Sequence, residues 1–410
     1  MNMHSKEDIR NNVETVLVDQ IVHGLTVQPK EKKIQSEPDS DEIIFTGNFE
    51  EVNDHFYFHE WSDGLPIVPP TIQNISKFLQ YTVAKPETVV GTLLPDAREA
   101  TIWNIAVNGV MAGCRPEYMP ILVALVEVMA DSKFGHEHLG HTPGTEVMIT
   151  LNGPIISDLG FNYGQGVLRV GNRANTSIGR FWRLYLRNIA GFIPGKADKA
   201  TFGGTWRVVL AENHEVLEKI GWLPMSADQG FNAGDNVVTV SSCTSTDSIF
   251  SVGKESPEEI LDKIATRVVD NQLYLFAIVD YLGPSARPQI LLSPVVAESL
   301  SKAGYSKNRI KEYLFNHARF KVSRYESLRP EYMSLCEATR NGRLPPIYCE
   351  NTDPDRMVPI VWSPEDFLLT VSGDPDRDNC FLCAQNGFIG YPVSKMITLP
   401  DNWDQLKDMK

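Results

Sequence analysis

The chain of 410 residues has room for one large domain or two ordinary ones, and 42% hydrophobic with 22% charged residues is a globular balance. A formal net charge of −14 argues against nucleic acid or an anionic membrane as partner, since both reward clustered Lys and Arg. The polar start Met1–Arg10 has no apolar leader, and the run Ile121–Ala130 is too short to span a bilayer. The expected location is the cytoplasm, with six reduced cysteines.

Residues 1–45 read as a tail or arm, because Lys30–Asp41 is too polar to bury. The amphipathic piece around Val13–Ile21 reads equally as an arm for a neighbouring subunit or as a loose helix. Residues 46–255 are expected to form the main α/β domain with the proposed site. Residues 256–410 form a C-terminal α/β portion, either in that same domain or beyond a weak boundary near Gly253–Pro257.

Within Trp61–Thr71, Asp63-Gly64 supplies a turn and three prolines exclude a helix, with Thr71 placed to cap a helix over Ile72–Leu79. Apolar spacing predicts helices over Ala100–Ala112 and Pro120–Met129, and Gly113–Tyr118 breaks the chain between them. Strands are expected at Val147–Leu151, Trp206–Leu210, Val237–Ser241, Tyr274–Val279 and Phe367–Val371. Helices are expected at Ser177–Ile189, Pro257–Val269, Val295–Lys302 and Ser306–Ala318. The alternation predicts an α/β fold, a sheet flanked by helices, with mixed α+β as its variant. Arg-Pro-Glu-Tyr-Met occurs at 115–119 and again at 329–333 with unlike flanks, which reads as one helix-start solution used twice.

Gly160–Arg180 is the densest polar stretch. Gly160, Gly164, Gly166 and Gly171 free the backbone, and Asn172, Asn175 and Thr176 are helix-capping types. Arg169, Arg173 and Arg180 add charge, so the segment reads as an anion cradle in which Asn162 and Tyr163 also contact the ligand. It lacks the third glycine of a dinucleotide fingerprint, so no dinucleotide is expected.

Cys114, followed by Arg115 and a helix start, is the candidate nucleophile, since both neighbours favour a thiolate. Cys243 ends a strand in a hydroxyl-rich loop and is a candidate second wall of the site. Asp63 is a candidate base or orienting group. His136, His138 and His141 have the spacing to hold a divalent metal from a loop, or they are simply solvated there. Cys380 and Cys383 have redox-motif spacing without the strand-to-helix setting such motifs use.

Four motifs, Trp61–Thr71, Asn108–Tyr118, Asn152–Pro154 and Arg173–Arg180, are similar to a largely uncharacterised bacterial family. Its members resemble partners of UGSC-type (seleno)proteins, relatives of the selenocysteine subunits of glycine and proline reductases. Cys243-Thr244-Ser245 echoes part of the UGSC motif, but Ser241-Ser242 replaces the residues that should precede it. The resemblance implies thiol- or selenol-linked small-molecule metabolism and a reductase partner protein. The expectation is an enzyme acting on a small polar or anionic molecule by thiolate-assisted redox or C–S/C–N chemistry, and a homo-oligomer. A metal-dependent hydrolase or lyase and a non-catalytic reductase subunit are the alternatives.

Overall fold

The structure, a computed structural model, describes residues 5–27, 42–204, 208–250, 255–282, 285–328, 333–385 and 389–407. Contacts divide the chain into two units, Met1–Ile44 and Phe45–Lys410. The first unit is helical: α1 (Lys6–Asn12) and α2 (Val18–Thr26) join through a π-helical turn, Val13–Leu17, and no residue of the three is buried. Ile9, Val13, Leu17, Ile21 and Leu25 recur every four residues, a spacing that drifts around a regular α-helix by about 40° per step. The wider π turn takes up one residue and holds the apolar stripe closer to one face. The run Lys30–Asp41 lies outside the described residues.

In the second unit the helices are α3 (Phe49–Phe58), α4 (Ile72–Leu79), α5 (Ile102–Met111), α6 (Met119–Met129), α7 (Ile155–Asp158) and α8 (Arg173–Tyr185). They continue as α9 (His214–Ile220), α10 (Met225–Asp228), α11 (Pro257–Leu282), α12 (Pro294–Lys302) and α13 (Lys307–His317). Strands β1 (Val89–Leu93) and β2 (Arg98–Thr101) form a hairpin. The remaining strands used below are β3 (Glu146–Asn152), β4 (Val209–Ala211), β5 (Val237–Cys243), β6 (Ser245–Phe250), β7 (Gln289–Leu292), β8 (Arg319–Lys321), β9 (Met357–Pro359), β10 (Leu368–Val371), β11 (Asn379–Ala384) and β12 (Val393–Met396); β8 and β9 form a small antiparallel pair.

Two four-stranded sheets carry the fold, in the orders β12-β5-β3-β4 and β6-β11-β7-β10. Each runs antiparallel, antiparallel, parallel in those orders. The two match strand for strand, with one exchange. The chain leaves β5 to place β6 on the edge of the second sheet, and leaves β11 to place β12 on the edge of the first. Antiparallel pairs outnumber parallel ones, so the architecture is mixed α+β, with the sheets flanked by helices.

Side-chain alternation explains the layers. Val147, Ile149 and Leu151 of β3 join the core under α5, α6 and α8, while Met148 faces the other way. Ile290 and Leu292 of β7 join the second core under α11 and its neighbours, while Leu291 meets Met148 in a small cluster between the sheets. That seam is also polar: the Gln289 amide donates to Thr150 and Thr370, each at 2.9 Å, and accepts from Ser241 at 3.1 Å. Every member is buried, so the network satisfies groups that would otherwise penalise the sheet contact.

The helix over Ile72–Leu79 forms as expected, with Thr71 accepting from the Asn74 amide at 3.3 Å. Three sequence expectations change. Tyr274–Val279 continues α11 instead of forming a strand. No Gly or Pro interrupts Glu258–Leu282, and Leu261, Ile264, Ala265, Val268 and Leu273 keep burying one face, which overrides local β composition. α8 begins at Arg173, four positions before the expected start, because Asn172 caps it by accepting from the Asn175 amide. Cys336 and Cys349 form a disulfide with Cα atoms 4.8 Å apart, so the expectation of six reduced thiols gives way at this pair. Trp206, Gly253 and Arg329–Glu331 lie outside the described residues. No helix among the described residues is long and apolar enough to cross a membrane.

Candidate active site

α5 ends in a Schellman turn. Gly113 adopts φ +78°, its N–H donates to Val110 O and the Cys114 N–H reaches Gly109 O at 3.0 Å. Only a residue tolerant of the left-handed region closes this turn cheaply, and the turn fixes where Cys114 sits. Arg173 donates from Nε and Nη2 to the Gly113 carbonyl at 3.3 and 3.2 Å. Ser177, one turn on, donates to Arg173 O at 2.7 Å and is close enough to Cys114 for its hydroxyl to pull the thiol down. Arg180, a further turn on, grips Asp63 in two bonds of 2.8 and 3.1 Å and also donates to the Leu65 and Pro66 carbonyls. Positions i, i+4 and i+7 of one helix therefore line a single face against the Asp63 turn and Cys114.

The chemistry differs from the expectation in two respects. Burial pushes the Cys114 thiol up to about 12, against smaller opposing pulls from Ser177, Arg173 and Arg180. The group rests as S–H, not as a thiolate. Arg115, expected to assist it, turns instead to an ion pair with Glu117; the expected helix start is present, as a 3-10 turn over Pro116–Tyr118 that runs directly into α6. The Asp63 carboxylate is engaged by the permanent cation of Arg180, which makes it ill placed to act as a base.

The glycine-rich loop is largely self-satisfied. Asn162 Oδ1 accepts from the Gly164 N–H at 3.0 Å and Asn162 Nδ2 donates to Gln165 O at 3.1 Å. Asn175 accepts from the Asn162 N–H and donates to the Asn162 and Val209 carbonyls. Asn172 Nδ2 donates to Gly160 O, and the Thr176 hydroxyl accepts from the Gly171 N–H at 3.1 Å. Gly160, Gly166 and Gly171 have positive φ, as such a loop requires. Tyr163 donates to Glu215 at 2.9 Å, a bond that, with burial, raises its phenol above the usual range. The asparagines and Thr176 thus shape the loop and the helix cap. Arg173 is exposed at its edge, and Arg169 is a second exposed cation of the same loop.

Cys243 does not join this site. It faces the seam between the sheets, with Cys383, while Cys114 lies in the helix-side core of the first sheet. The histidines do not converge either. His136 is buried with Nε2 2.9 Å from Leu94 O, His138 is exposed, and His141 Nε2 is 3.3 Å from the Thr145 hydroxyl. Burial lowers the basicity of both His136 and His141. No group of three His, Cys, Asp or Glu side chains among the described residues is placed to hold a metal, which corrects the divalent-metal expectation for this loop. Cys380 and Cys383, three apart on β11, point to opposite faces, so their spacing makes no redox pair. An open cleft of about 420 Å³ exists elsewhere, lined by Ser248 and Phe250 of β6 and Lys263 and Arg267 of α11.

The sequence placed Arg180 among the charges of the cradle and Ser177 at a helix start, and neither of them beside Cys114. Their signal was present in the sequence as the spacing Arg173, Ser177, Arg180, but it becomes a face only once the helix start is placed at Asn172. Fold and site define a mixed α+β protein with a buried thiol flanked by two guanidinium groups. No family model, curated protein or solved structure matches the chain.

Proposed function

We propose that this protein is a cytoplasmic enzyme acting on a small polar or anionic metabolite, with the anion held at Arg173 and the reaction at Cys114. The observation that carries this reading is the single face of α8 on which Arg173, Ser177 and Arg180 surround the Cys114 thiol. Arg173 is an exposed residue whose Nε and Nη2 donate to the Gly113 carbonyl, so its guanidinium retains further donors for an incoming carboxylate or phosphate. Because the thiol rests protonated, chemistry at sulfur requires that the bound molecule bring a group basic enough to take its proton. The similarity of the motifs at 61–71, 108–118 and 173–180 to partners of UGSC-type proteins supports a thiol- or selenol-linked reaction and a reductase partner.

The test is a panel of small carboxylates and phosphates by calorimetry with Arg173→Ala and Cys114→Ala. Arg173→Ala is expected to weaken binding at least about tenfold, and Cys114→Ala to bind but not turn over. Native alkylation of Cys114 should accelerate about tenfold per pH unit from pH 7 to 10, the sign required by a raised thiol pKa. Full turnover by Cys114→Ala would end the reading.

A second reading, a non-catalytic subunit docking a partner or another copy through its arm, is favoured by the exposed apolar stripe of α1 and α2. Removal of residues 1–44 is then expected to lower the assembled mass in sedimentation. An unchanged mass and unchanged capture of a reductase partner would leave the arm without that role.

A further inference from the structure

We propose that Cys243 and Cys383 are an oxidation site, forming a reversible disulfide at the place where the two exchanged strands leave their parent sheets. Cys243 is the last residue of β5, immediately before the chain crosses to β6. Cys383 is the penultimate residue of β11, before the chain crosses back to β12. The two crossings lie side by side. Cys383 stands opposite Thr246 in the β11–β6 ladder, and the Thr244 N–H donates to Ala384 O at 2.9 Å.

Strand alternation then turns both thiols into the same narrow layer. They belong to one small cluster with Met148, Val167, Leu210 and Leu291, between the sheets and apart from both main cores. The Cys243 sulfur is close enough to act on the Cys383 thiol and helps raise it, and Cys243 Sγ itself donates to Ser245 O at 3.5 Å. Neither of the other free thiols shares this layer: Cys114 belongs to the first core and Cys380 to the second. The pairing owes nothing to Cys114, so it stands or falls separately from the reading above.

The proposed oxidant is hydrogen peroxide, and Cys243 is the more accessible of the two thiols, 6% exposed against 1% for Cys383. The Cys243 sulfur attacks one peroxide oxygen and breaks the O–O bond, giving a sulfenic acid and one water. The Cys383 sulfur then attacks the sulfenic sulfur, the S–O bond breaks, and the hydroxyl leaves as a second water with the remaining thiol proton. Two electrons pass from the sulfurs to peroxide, and a dithiol reductant reverses the change. The product ties one crossing to the other, so that neither β6 nor β12 can peel from its adopted sheet independently. Cross-linking residues this far apart in sequence restricts the unfolded chain strongly.

The test is treatment of the full chain with a small excess of peroxide, followed by peptide mapping without reduction. The expected result is a linked Cys243–Cys383 peptide, loss of two of the four free thiols, and a rise in Tm of about 5 °C or more, all reversed by dithiothreitol. Cys243→Ser and Cys383→Ser should each abolish the linked peptide and the Tm rise, while Cys380→Ser should behave as the parent. A Cys380–Cys383 peptide, or Cys243 and Cys383 recovered unlinked, would overturn the proposal. Because the mapping uses the unaltered chain, it decides the question even where a serine variant folds poorly.

Discussion

Glu212→Ala is expected to destabilise the protein by about 4 kcal/mol, the largest effect of any single substitution considered for this fold. The Glu212 side chain is fully buried, just beyond β4, where the two sheets approach each other. Its carboxylate accepts from Asn152 Nδ2 at 2.5 Å and from the Met225 N–H at 2.8 Å. The other oxygen accepts from the Val371 N–H at 3.0 Å, the end of β10 in the second sheet. Alanine strands three donors in a place water does not reach, and each stranded donor costs about 1–3 kcal/mol before relaxation. Glu212→Gln keeps one acceptor and opposes one donor with another, so it should cost roughly half as much. Urea unfolding measures both. A loss below about 1 kcal/mol for the alanine variant would show that the seam rearranges around the gap.

Asp63→Ala is expected to cost about 3 kcal/mol and to loosen the wall beside Cys114. The Asp63 and Arg180 side chains are 8% and 16% exposed, so this pair behaves as a buried one that salt screens poorly. Removing the carboxylate leaves Arg180 with only the Leu65 and Pro66 carbonyls as partners, at 3.3 and 3.0 Å. Arg180→Ala should cost a similar amount, and the double variant clearly less than the sum, because the second removal relieves the unpaired charge left by the first. The same variants should alkylate several-fold faster at Cys114, since the Asp63 turn is pinned to α8 through this pair. Additive costs in the double-mutant cycle would mean that the two residues stabilise the fold independently.

Much of the local structure was legible in the residues. The Asp63-Gly64 turn, the Thr71 cap, the break at Gly113 and the strands at Val147–Leu151 and Val237–Ser241 all follow from short-range chemistry that acts within a few positions. Asp63, Cys114 and Arg173 each stood out locally, but only the packing of α8 against the turn at Asp63 and the end of α5 brings them together. What changed was the resting state expected of the thiol. A thiol next to Arg115 in sequence looks activated, yet the side chain of Arg115 turns to Glu117 and desolvation governs the sulfur. The three histidines look like a ligand set at their spacing, yet their imidazoles meet different backbone and hydroxyl partners.

By itself the amino-acid sequence determined the turns, caps and apolar periodicities, because these depend on residues within one or two helical turns of each other. Only the tertiary structure decided which sheet each strand joins. The strongest case is β6, which follows β5 with a single intervening residue yet pairs with β11, while β12 returns to β5. It decided protonation as well, since the state of a thiol is set by how much water and charge surround it, and that depends on segments distant in sequence. It also placed Cys383 in one layer with Cys243 and not with Cys380: alternation along β11 sends neighbours three apart to opposite faces, and only the packing of two sheets brings a distant thiol into that layer.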